Sequence, residues 1–486
     1  MLYHSTRNQI PTVDSAQAVV QGLAADGGLY MPEAIPAFDW QTCLEGDTFE
    51  MATRILSTLL PDIPNMETLV RNAYTGKFQT DELTPTVKVG NFTVLELFRG
   101  PTSAFKDVAL CMLPQLLTAA KTEKGMNDDI LILTATSGDT GKAALAGFQD
   151  VPGVRICVFY PDGGVSAVQR AQMVTQEGKN VTVSAIRGNF DNAQTGVKNI
   201  FAACGDGKLL EGRGFRLSSA NSINIGRLAP QVTYYFKAYK DLLDRNEITL
   251  GDEVNFCVPT GNFGDIRAGY LAKLLGLPVG RLICASNANK VLTDFITTGT
   301  YDRLRPLHKT NSPSMDILVS SNLERLLYLL SGNDTALVAK LMADLNEKGS
   351  YTVPDDLKEA IQAQFWAGYA DDAAASQAIG KVFRELGYLC DPHTACGWKV
   401  AEDYVNQTGD TRPMVVLSTA SPYKFPAAVL DAIGGDMSGS EFDQMERLQA
   451  FTGVSIPDNL AGLQGKKERH TGVIDKEAML SFVLDL

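Results

Sequence analysis

The sequence predicts an α/β protein whose strands form open, mainly parallel sheets. Short β-rich runs alternate with helical patterns after Thr84-Pro85. Most of these runs are followed by a turn of Gly, Ser, Thr or Asn and then by a helix, which is the order of βαβ units. A length of 486 residues corresponds to about three domain-sized units.

The N-terminal segment, residues 1–85, is predicted to be mostly helical and to form a small separate unit. Helical spacing and capping residues indicate three helices there, namely Asp14 to Leu23, Thr48 to Leu60 and Met66 to Tyr74. No strand of any length is apparent in this segment.

Seven strands are predicted in the rest of the chain. They are Val94 to Phe98, Ile130 to Thr134, Val154 to Tyr160, Val181 to Ile186, Glu253 to Val258, Arg281 to Ala285 and Met414 to Leu417. Residues 322–387 break the alternation, because their leucines and other apolar residues recur at helical spacing through Leu357 to Trp366. We interpret this stretch as a helical insertion that serves as a lid or a dimer element.

The composition predicts a soluble, cytoplasmic and acidic protein. A net charge of −13 argues against a nucleic-acid or anionic-membrane surface, since both need dense Lys and Arg. No apolar run approaches the roughly 18–20 residues that span a bilayer. The first five residues lack the basic start of a secretory signal. The eight scattered cysteines are expected to be mostly buried thiols of a reducing compartment.

Two glycine-rich turns follow predicted strands and precede predicted helices, which is where parallel sheets bind anions. They are residues 135–142, Ala-Thr-Ser-Gly-Asp-Thr-Gly-Lys, and residues 259–265, Pro-Thr-Gly-Asn-Phe-Gly-Asp. The first is not a P-loop, because Thr136 and Ala143 stand where Gly and Ser or Thr are required. The second has Phe263 where the dinucleotide fingerprint G-x-G-x-x-G requires its second glycine. On turn chemistry alone, anion binding and a plain tight turn remain open for both.

Lys106 lies at a strand–helix junction with the apolar neighbours Ala104 and Phe105. Partial desolvation there would lower its pKa and leave a neutral amine that attacks a carbonyl group. Local sequence alone favours the alternative, a solvated lysine or one paired with Asp107. The order of features changes that balance. A lysine, two anion-binding turns and the late Ser418-Thr419-Ala420-Ser421 supply what a pyridoxal phosphate (PLP) site needs.

At this point the chain resembles the threonine synthases, a family of PLP enzymes related to the tryptophan synthase β chain, over nearly its whole length. The motifs that carry the resemblance are Tyr-His-Ser-Thr-Arg at 3–7, Gly-Leu-Ala-Ala-Asp-Gly-Gly-Leu-Tyr at 22–30, Ser-Ala-Phe-Lys-Asp at 103–107, Ser-Gly-Asp-Thr-Gly at 137–141, Gly-Asn-Phe-Asp at 188–191, Asn-Ser-Ile-Asn at 221–224, Gly-Asn-Phe-Gly-Asp at 261–265, Pro-Ser-Met-Asp-Ile at 313–317, Ser-Ser-Asn at 320–322 and Asp-Pro-His-Thr-Ala at 391–395. The motif at 22–30 is specific to threonine synthases rather than to PLP lyases at large.

The resemblance implies a fold, a division into domains and a reaction. The fold would be the tryptophan synthase β-like PLP fold, with two open, mainly parallel α/β domains, an N-terminal helical domain (1–85) and a helical insertion (322–387). Residues 86–215 would form the small domain with the lysine, and residues 216–486 the large domain that binds the PLP phosphate. The enzyme would convert O-phosphohomoserine and water to L-threonine and phosphate, as the last step of threonine biosynthesis.

The resemblance also implies the site residues. Lys106 would hold PLP as a Schiff base and then act as the base of the reaction. The cofactor phosphate would lie on Gly261, Asn262, Phe263, Gly264 and Asp265, and Thr419 would face the pyridine nitrogen. The substrate is expected near Ser103, Ser137, Asp139, Thr140, Asn189 and Lys424. The chain departs from the family pattern at Lys142, Ser421 and Tyr423, which puts fine substrate contacts in doubt.

Several alternatives stay open on the sequence. The spacing of Cys390, His393 and Cys396 matches no standard zinc pattern and favours a structural loop, in which Asp391 and His393 either shape the site or only stabilise a turn. A related PLP lyase or dehydratase, or a phosphohomoserine phospho-lyase, would carry the same lysine. A non-catalytic ligand-binding α/β protein would not need it. A small-molecule substrate is the expected partner, and the chain is expected to be a monomer or a homodimer.

Overall fold

The computed structural model describes residues 1–136, 138–204 and 207–486, whose backbone forms four β-sheets and 21 α-helices. The strands are β1 (Leu2–Ser5), β2 (Asn8–Asp14), β3 (Tyr30–Pro32), β4 (Thr86–Val89), β5 (Phe92–Glu96), β6 (Asp129–Ala135), β7 (Val154–Pro161), β8 (Val181–Arg187), β9 (Phe215–Ser218), β10 (Val254–Pro259), β11 (Val279–Ser286), β12 (Thr300–Asp302), β13 (Ser350–Thr352), β14 (Phe365–Tyr369), β15 (Met414–Ser418) and β16 (Val473–Asp475).

The helices connect and cover these strands. They are α1 (Ser15–Gln21), α2 (Trp40–Cys43), α3 (Thr48–Leu59), α4 (Met66–Tyr74), α5 (Lys106–Glu123), α6 (Asp139–Phe148), α7 (Ala167–Val174), α8 (Phe190–Ala203), α9 (Ile225–Leu228), α10 (Thr233–Asp244), α11 (Gly264–Leu274), α12 (Val291–Thr298), α13 (Leu323–Leu330), α14 (Thr335–Lys348), α15 (Asp355–Gln364), α16 (Asp372–Leu386), α17 (Pro392–Thr408), α18 (Pro426–Ile433), α19 (Glu441–Thr452), α20 (Asp458–Ala461) and α21 (Met479–Leu484).

Two sheets carry the parallel strands. The large sheet has the order β14-β11-β10-β15-β5-β4 and is parallel except at its β4 edge. The small sheet has the order β16-β8-β7-β6-β9 and is parallel throughout. The α/β class with mainly parallel sheets is therefore confirmed, and each of the seven predicted strands overlaps an observed strand.

The sheets do not follow the segment boundaries expected from the sequence. Strands β4 and β5, within the predicted small-domain segment 86–215, belong to the large sheet. Strand β16, within the predicted large-domain segment 216–486, completes the small sheet by pairing with β8. Strand pairing joins distant parts of the chain, so each sheet is assembled from separate stretches of sequence.

The N-terminal segment contains the three predicted helices, as α1, α3 and α4, but it is not purely helical. Strands β1, β2 and β3 form a small antiparallel sheet, which the sequence pattern did not reveal. Two more unpredicted strands, β13 and β14, lie inside the predicted helical insertion. The helical interpretation of Leu357 to Trp366 is wrong at its end, because the backbone turns extended at Phe365 and pairs with β11.

The hydrophobic core has three parts. The largest joins the N-terminal unit, helix α5 and one face of each main sheet. The second packs helices α16 to α19 on the other face of the large sheet. The third covers the other face of the small sheet with α8 and α21. All eight cysteines are buried thiols, which confirms the predicted burial of these side chains. None of the described helices has both the length and the hydropathy of a membrane span.

Candidate active site

The loop that ends at Lys106 pairs with the segment that follows strand β15. The backbone N–H of Phe105 donates to the carbonyl of Thr419 over 2.8 Å, and that of Ser421 donates to the carbonyl of Ser103 over 3.1 Å. Lys106 is the first residue of α5, so these two bonds fix the start of that helix against residues 419–421. Lys106 and Thr419 are more than 300 residues apart in the sequence, and the fold brings them side by side.

The Lys106 amine is buried, with 9% of the residue exposed, and faces polar groups from two other elements. Its Nζ lies 3.2 Å from Ser314 Oγ and 3.9 Å from Asp139 Oδ2. Burial lowers the pKa of Lys106 to about 8; the Asp139 carboxylate opposes this shift, and Lys424 adds to it. The amine is therefore partly neutral near neutral pH, as a nucleophile or base must be.

Asp107, the alternative partner of Lys106, has other contacts. It accepts hydrogen bonds from Thr102 N over 2.9 Å and Thr102 Oγ1 over 2.5 Å, and thereby closes the loop before α5. Both alternatives for Lys106 are wrong in this structure, since the lysine is neither solvated nor paired with Asp107.

Asp139 is the counter-ion of two lysines. Its Oδ1 lies 2.5 Å from Lys424 Nζ, both side chains are buried, and Gln169 Nε2 donates to the same oxygen over 3.0 Å. Burial opposes ionisation of Asp139, but the ammonium groups of Lys424 and Lys106 outweigh it and hold the pKa well below its usual range. We call Lys106, Asp139 and Lys424 the lysine–aspartate cluster; its two cations and one anion leave an excess of positive charge.

The second glycine-rich turn, residues 260–264, leads into α11 through Phe263, whose φ of 61° is left-handed. The side chain of the N-cap residue does not cap α11, so the backbone N–H of its first residue, Gly264, is available to an anion. The Asp265 carboxylate bonds to the N–H of Ile266 in its own helix over 2.8 Å, and burial raises its pKa to about 6.

The surroundings of this turn fit a phosphate group. A side chain at Gly261 would place its Cβ 2.6 Å from the carbonyl oxygen of Ser314, which explains the glycine. Among the described residues, the buried amide nitrogen of Asn322 has no hydrogen-bond partner, and it lies 3.5 Å from the point where a Cβ of Gly264 would be. A spare buried donor beside uncapped N–H groups matches an anion rather than a cation.

The first glycine-rich turn, after β6, uses part of its own hydrogen-bonding capacity. Thr136 Oγ1 accepts from the N–H groups of Gly138 and Gly141, each over 2.9 Å. Thr140 is half-buried on α6, and Ser137 lies outside the described residues. Lys142 donates to Gln176, and burial lowers its pKa to about 8.

The remaining predicted residues differ in how close they lie to the cluster. Thr419 is buried, next to the loop that carries Lys106. Ser103 is buried with a left-handed φ of 58°, and its hydroxyl contacts Asn459 over 3.1 Å. Asn189 is exposed and caps α8 by accepting from Asn192 N. No contact in the described part of the chain joins Asn189 to the lysine–aspartate cluster, so its substrate role stays a prediction.

Ser314 was not singled out as a site residue by the sequence. Its hydroxyl bonds to Lys106, and its backbone N–H donates to His393 Nε2 over 3.2 Å, while His393 Nδ1 lies 2.6 Å from Asp391. The signal that could have found these residues was their presence in two of the motifs that carry the family resemblance, at 313–317 and 391–395.

Three family models match the chain and together cover almost all of it. The model described as "Threonine synthase N terminus" matches residues 2–74, that of "Pyridoxal-phosphate dependent enzyme" matches 74–420, and that of "Threonine synthase, C-terminal" matches 394–483. The middle model alone matches more than half of the chain.

Known proteins agree with these models. The chain is 39% identical over 434 residues to a threonine synthase-like 1 protein of Macaca fascicularis, covering 86% of this chain and 58% of that protein. It is 39% identical to a threonine synthase of Pseudomonas aeruginosa, covering 97% of this chain and 98% of that protein. The chain thus spans 58% of the length of the threonine synthase-like 1 protein and nearly all of the bacterial one.

Two crystal structures are similar over the whole length. A PLP-bound threonine synthase from Brucella melitensis has a TM-score of 0.87 at 39% identity and covers 100% of this chain and 98% of its own. A yeast threonine synthase has a TM-score of 0.88 at 33% identity and covers 99% of this chain and 98% of its own. Both are thus similar to this chain in fold over almost its whole length, at an identity high enough to indicate common descent.

Proposed function

This chain belongs to the threonine synthase family of PLP-dependent enzymes, and from that membership we propose that it converts O-phosphohomoserine and water to L-threonine and phosphate. The reaction is a γ-elimination of phosphate followed by addition of water at Cβ, the last step of threonine biosynthesis. The observation that carries the proposal is the Lys106 amine, buried within 4 Å of Ser314 and Asp139 and bonded into the loop beside Thr419.

Pyridoxal 5′-phosphate is the cofactor of this family, and the site supports its binding. The backbone N–H groups of Gly261 to Gly264 and the spare Asn322 donor suit its phosphate. The buried hydroxyl of Thr419 suits its pyridine nitrogen. When bound, PLP supplies an electron sink for negative charge at the substrate Cα.

Lys106 is proposed to attach the cofactor and to move protons between the substrate carbons. A pKa of about 8 leaves the amine able to accept a proton near neutral pH and to return it in a later step. Its flexible stem lets one Nζ reach two neighbouring carbons. Water must be admitted only after phosphate has left, and the burial of the lysine–aspartate cluster supports that order.

The positive charge of the lysine–aspartate cluster supports binding of a substrate that carries a carboxylate and a phosphate. We propose that Lys424 turns from Asp139 toward one of these anions, with Ser103, Thr140 and the backbone N–H groups near α6 as further donors. Asp139 would then remain as the partner of Lys106. The acidic chain as a whole repels polyanions, but these groups act over a few ångströms inside a cleft.

We propose a cytoplasmic monomer or homodimer that acts on a small molecule and needs no nucleic-acid partner. A net charge of −13, eight buried thiols and the biosynthetic nature of the family support this assignment. Size-exclusion chromatography with light scattering distinguishes the two oligomeric states.

The proposed function is tested by incubating the purified chain and PLP with O-phosphohomoserine, while threonine, phosphate and 2-oxobutyrate are all measured. We expect threonine and phosphate in equal amounts from the wild type and neither from Lys106→Ala. Phosphate released without threonine would instead indicate a phospho-lyase, and 2-oxobutyrate as the main product would indicate a dehydratase. Either result would overturn the proposal.

A further inference from the structure

Ser314 touches three parts of the proposed site at once. Its hydroxyl lies 3.2 Å from Lys106 Nζ and 3.5 Å from Asp139 Oδ2, so it accepts from the lysine and donates to the carboxylate. Its carbonyl oxygen packs against Gly261 of the phosphate turn so closely that no side chain fits there. Its backbone N–H donates to His393. A serine held on three sides has little freedom to turn away from the lysine.

His393 is fixed in one tautomer by its two partners. A carboxylate only accepts, so the proton of the ring is on Nδ1, which faces Asp391 Oδ2 at 2.6 Å. A backbone N–H only donates, so Nε2 must be the acceptor from Ser314 at 3.2 Å. The ring is 2% exposed and lies edge-on to Phe425 at 5.0 Å, which prevents it from rotating into solvent.

Asp391 is the fixed end of this chain of contacts. It is fully buried and caps α17 by accepting from the N–H groups of His393 and Thr394 over 3.0 and 3.1 Å. Thr394 also donates its hydroxyl to Asp391 and lies 3.0 Å from Ser418 Oγ, next to Thr419. One carboxylate therefore connects to the Ser314 side of the cleft through His393 and to the Thr419 side through Thr394.

We infer that Ser314 orients the Lys106 amine for its proton transfers, and that the Asp391–His393 pair positions Ser314 through its backbone N–H. A neutral hydroxyl suits this task, because it directs the amine by a hydrogen bond. A second carboxylate in its place would add to the effect of Asp139 and raise the lysine pKa. Ser314 touches the reacting nitrogen, whereas Asp391 and His393 act only through it. The inference rests on the proposed function only for the identity of the reaction.

The first test is Ser314→Ala, with Ser15→Ala as its matched control. Ser15 is fully buried, whereas Ser314 is half-buried. Like Ser314, it bonds to a carboxylate through its hydroxyl, here that of Asp62, but it lies in the N-terminal unit. We expect Ser314→Ala to lower kcat about tenfold, the effect of one lost hydrogen bond, with KM for O-phosphohomoserine changed less than about twofold. It should also slow the capture of added PLP by the PLP-free chain, measured by visible absorbance, by a similar factor. Wild-type kcat and capture rate in Ser314→Ala would overturn the inference.

The second test separates the two nitrogens of His393. Glutamine reaches far enough for its amide oxygen to replace Nε2 as the acceptor from Ser314, whereas asparagine replaces only the Nδ1 donor to Asp391. We therefore expect His393→Gln to retain at least about five times more kcat and capture rate than His393→Asn. His4, buried and bonded at both nitrogens to Ser5 and Tyr328, supplies the matched pair His4→Gln and His4→Asn.

The outcomes are distinguishable from failure of the proposed function. Equal losses in His393→Gln and His393→Asn, or a larger loss with glutamine, would mean that His393 only stabilises the fold and would overturn the positioning role. If the wild type makes no threonine, the proposed reaction fails, yet the PLP-capture rates still decide whether Ser314 orients the lysine. The His4 variants should match the wild type in capture rate even where they unfold at a lower temperature.

Discussion

At the scale of single residues, Asp139 sets how much of the Lys106 amine carries a proton. Its carboxylate opposes the effect of burial on the lysine, while Lys424 reinforces that effect. Without the carboxylate charge, the lowering of the lysine pKa by burial, Lys424 and Arg227 is opposed only by the smaller effect of Asp265. We therefore predict that Asp139→Asn lowers the pKa of Lys106 below about 8.

This prediction is checked on the PLP-free chain by the pH dependence of Lys106 labelling with an amine-reactive reagent, followed by peptide mass spectrometry. The labelling midpoint should move to lower pH in Asp139→Asn and stay in place in Asp244→Asn, an exposed carboxylate beside Lys240. A midpoint that stays or rises in Asp139→Asn would show that Asp139 does not act on the lysine.

The sequence led to Lys106 because an order of motifs, rather than its neighbours, suggested a cofactor site. It did not lead to the partners of Lys106, because Asp107 adjoins it in sequence whereas Asp139 and Ser314 reach it only through the fold. The roles of Asp391 and His393 were left open for the same reason. A hydrogen bond from a backbone N–H to a histidine leaves no trace in composition or spacing.

At the scale of elements, the contact between α5 and α6 controls the distance between Lys106 and Asp139, since each helix begins with one of them. The helices approach so closely that a Cβ on Gly147 of α6 would lie 1.9 Å from the carbonyl oxygen of Leu110 in α5. We predict that Gly147→Ala forces them apart and lowers the free energy of unfolding by about 1–3 kcal/mol or more.

The same substitution should weaken the interaction between Lys106 and Asp139, because it shifts one helix start relative to the other. Thermal unfolding and threonine synthesis are measured together, with Gly462→Ala as the control, since a Cβ at Gly462 meets only one atom, at 4.0 Å, and the φ of −89° suits alanine. Full stability and full activity in Gly147→Ala would contradict so close an approach of the two helices.

Elements with long apolar runs were predictable, and short ones were not. Strands β6, β7 and β10 are buried along nearly their whole length and show as continuous apolar runs in the sequence. Strand β2 is mostly exposed and carries Pro11, and β3 has three residues, so neither gives a period that can be recognised. Strand β14 follows α15 without a turn residue, which is why its apolar residues resembled the end of the helix.

At the scale of the whole molecule, the chain crosses between the two sheets three times. It runs from β5 in the large sheet to the small sheet, returns to the large sheet at β10, and ends the series at β16 in the small sheet. Lys106 lies on the first crossing and Lys424 on the third, while Asp139 belongs to a helix of the small sheet. The lysine–aspartate cluster thus connects the first and third crossing segments, through their lysines, to a helix of the small sheet.

The return of the chain to the small sheet makes a testable prediction about stability. Met479 of α21 is buried against Gly196 of α8, in the core part that covers the small sheet. We predict that Met479→Ala costs about 2–5 kcal/mol of unfolding free energy and speeds amide hydrogen exchange in β8 and α8 more than in β10. Met437→Ala, at a half-exposed methionine, serves as the control. Equal acceleration in β10 would mean that the two sheets unfold as one unit.

Sequence boundaries could not reveal this arrangement, because which sheet a strand joins depends on partners far along the chain. Val473 to Asp475 are three residues without a clear pattern, and their pairing with Ala185 to Arg187 spans almost 300 positions. The division into domains at residues 85 and 215 therefore stays a prediction. Each of the two main sheets is built from strands that lie on both sides of the boundary at 215.

The position of strand β16 near residue 475 also delays completion of the small sheet during synthesis on the ribosome. The small sheet lacks its edge strand until residues 473–475 have been made, which is tens of seconds after β9 at a rate of about 5–20 residues per second. During that interval the apolar side of α8, which includes Val197 and Ile200, is exposed to solvent on the nascent chain. Helix α21 covers it later. A chaperone that recognises such a surface would therefore find it from the completion of β9 until α21 has been made, an interval in which strands β10, β11, β14 and β15 of the large sheet are synthesised.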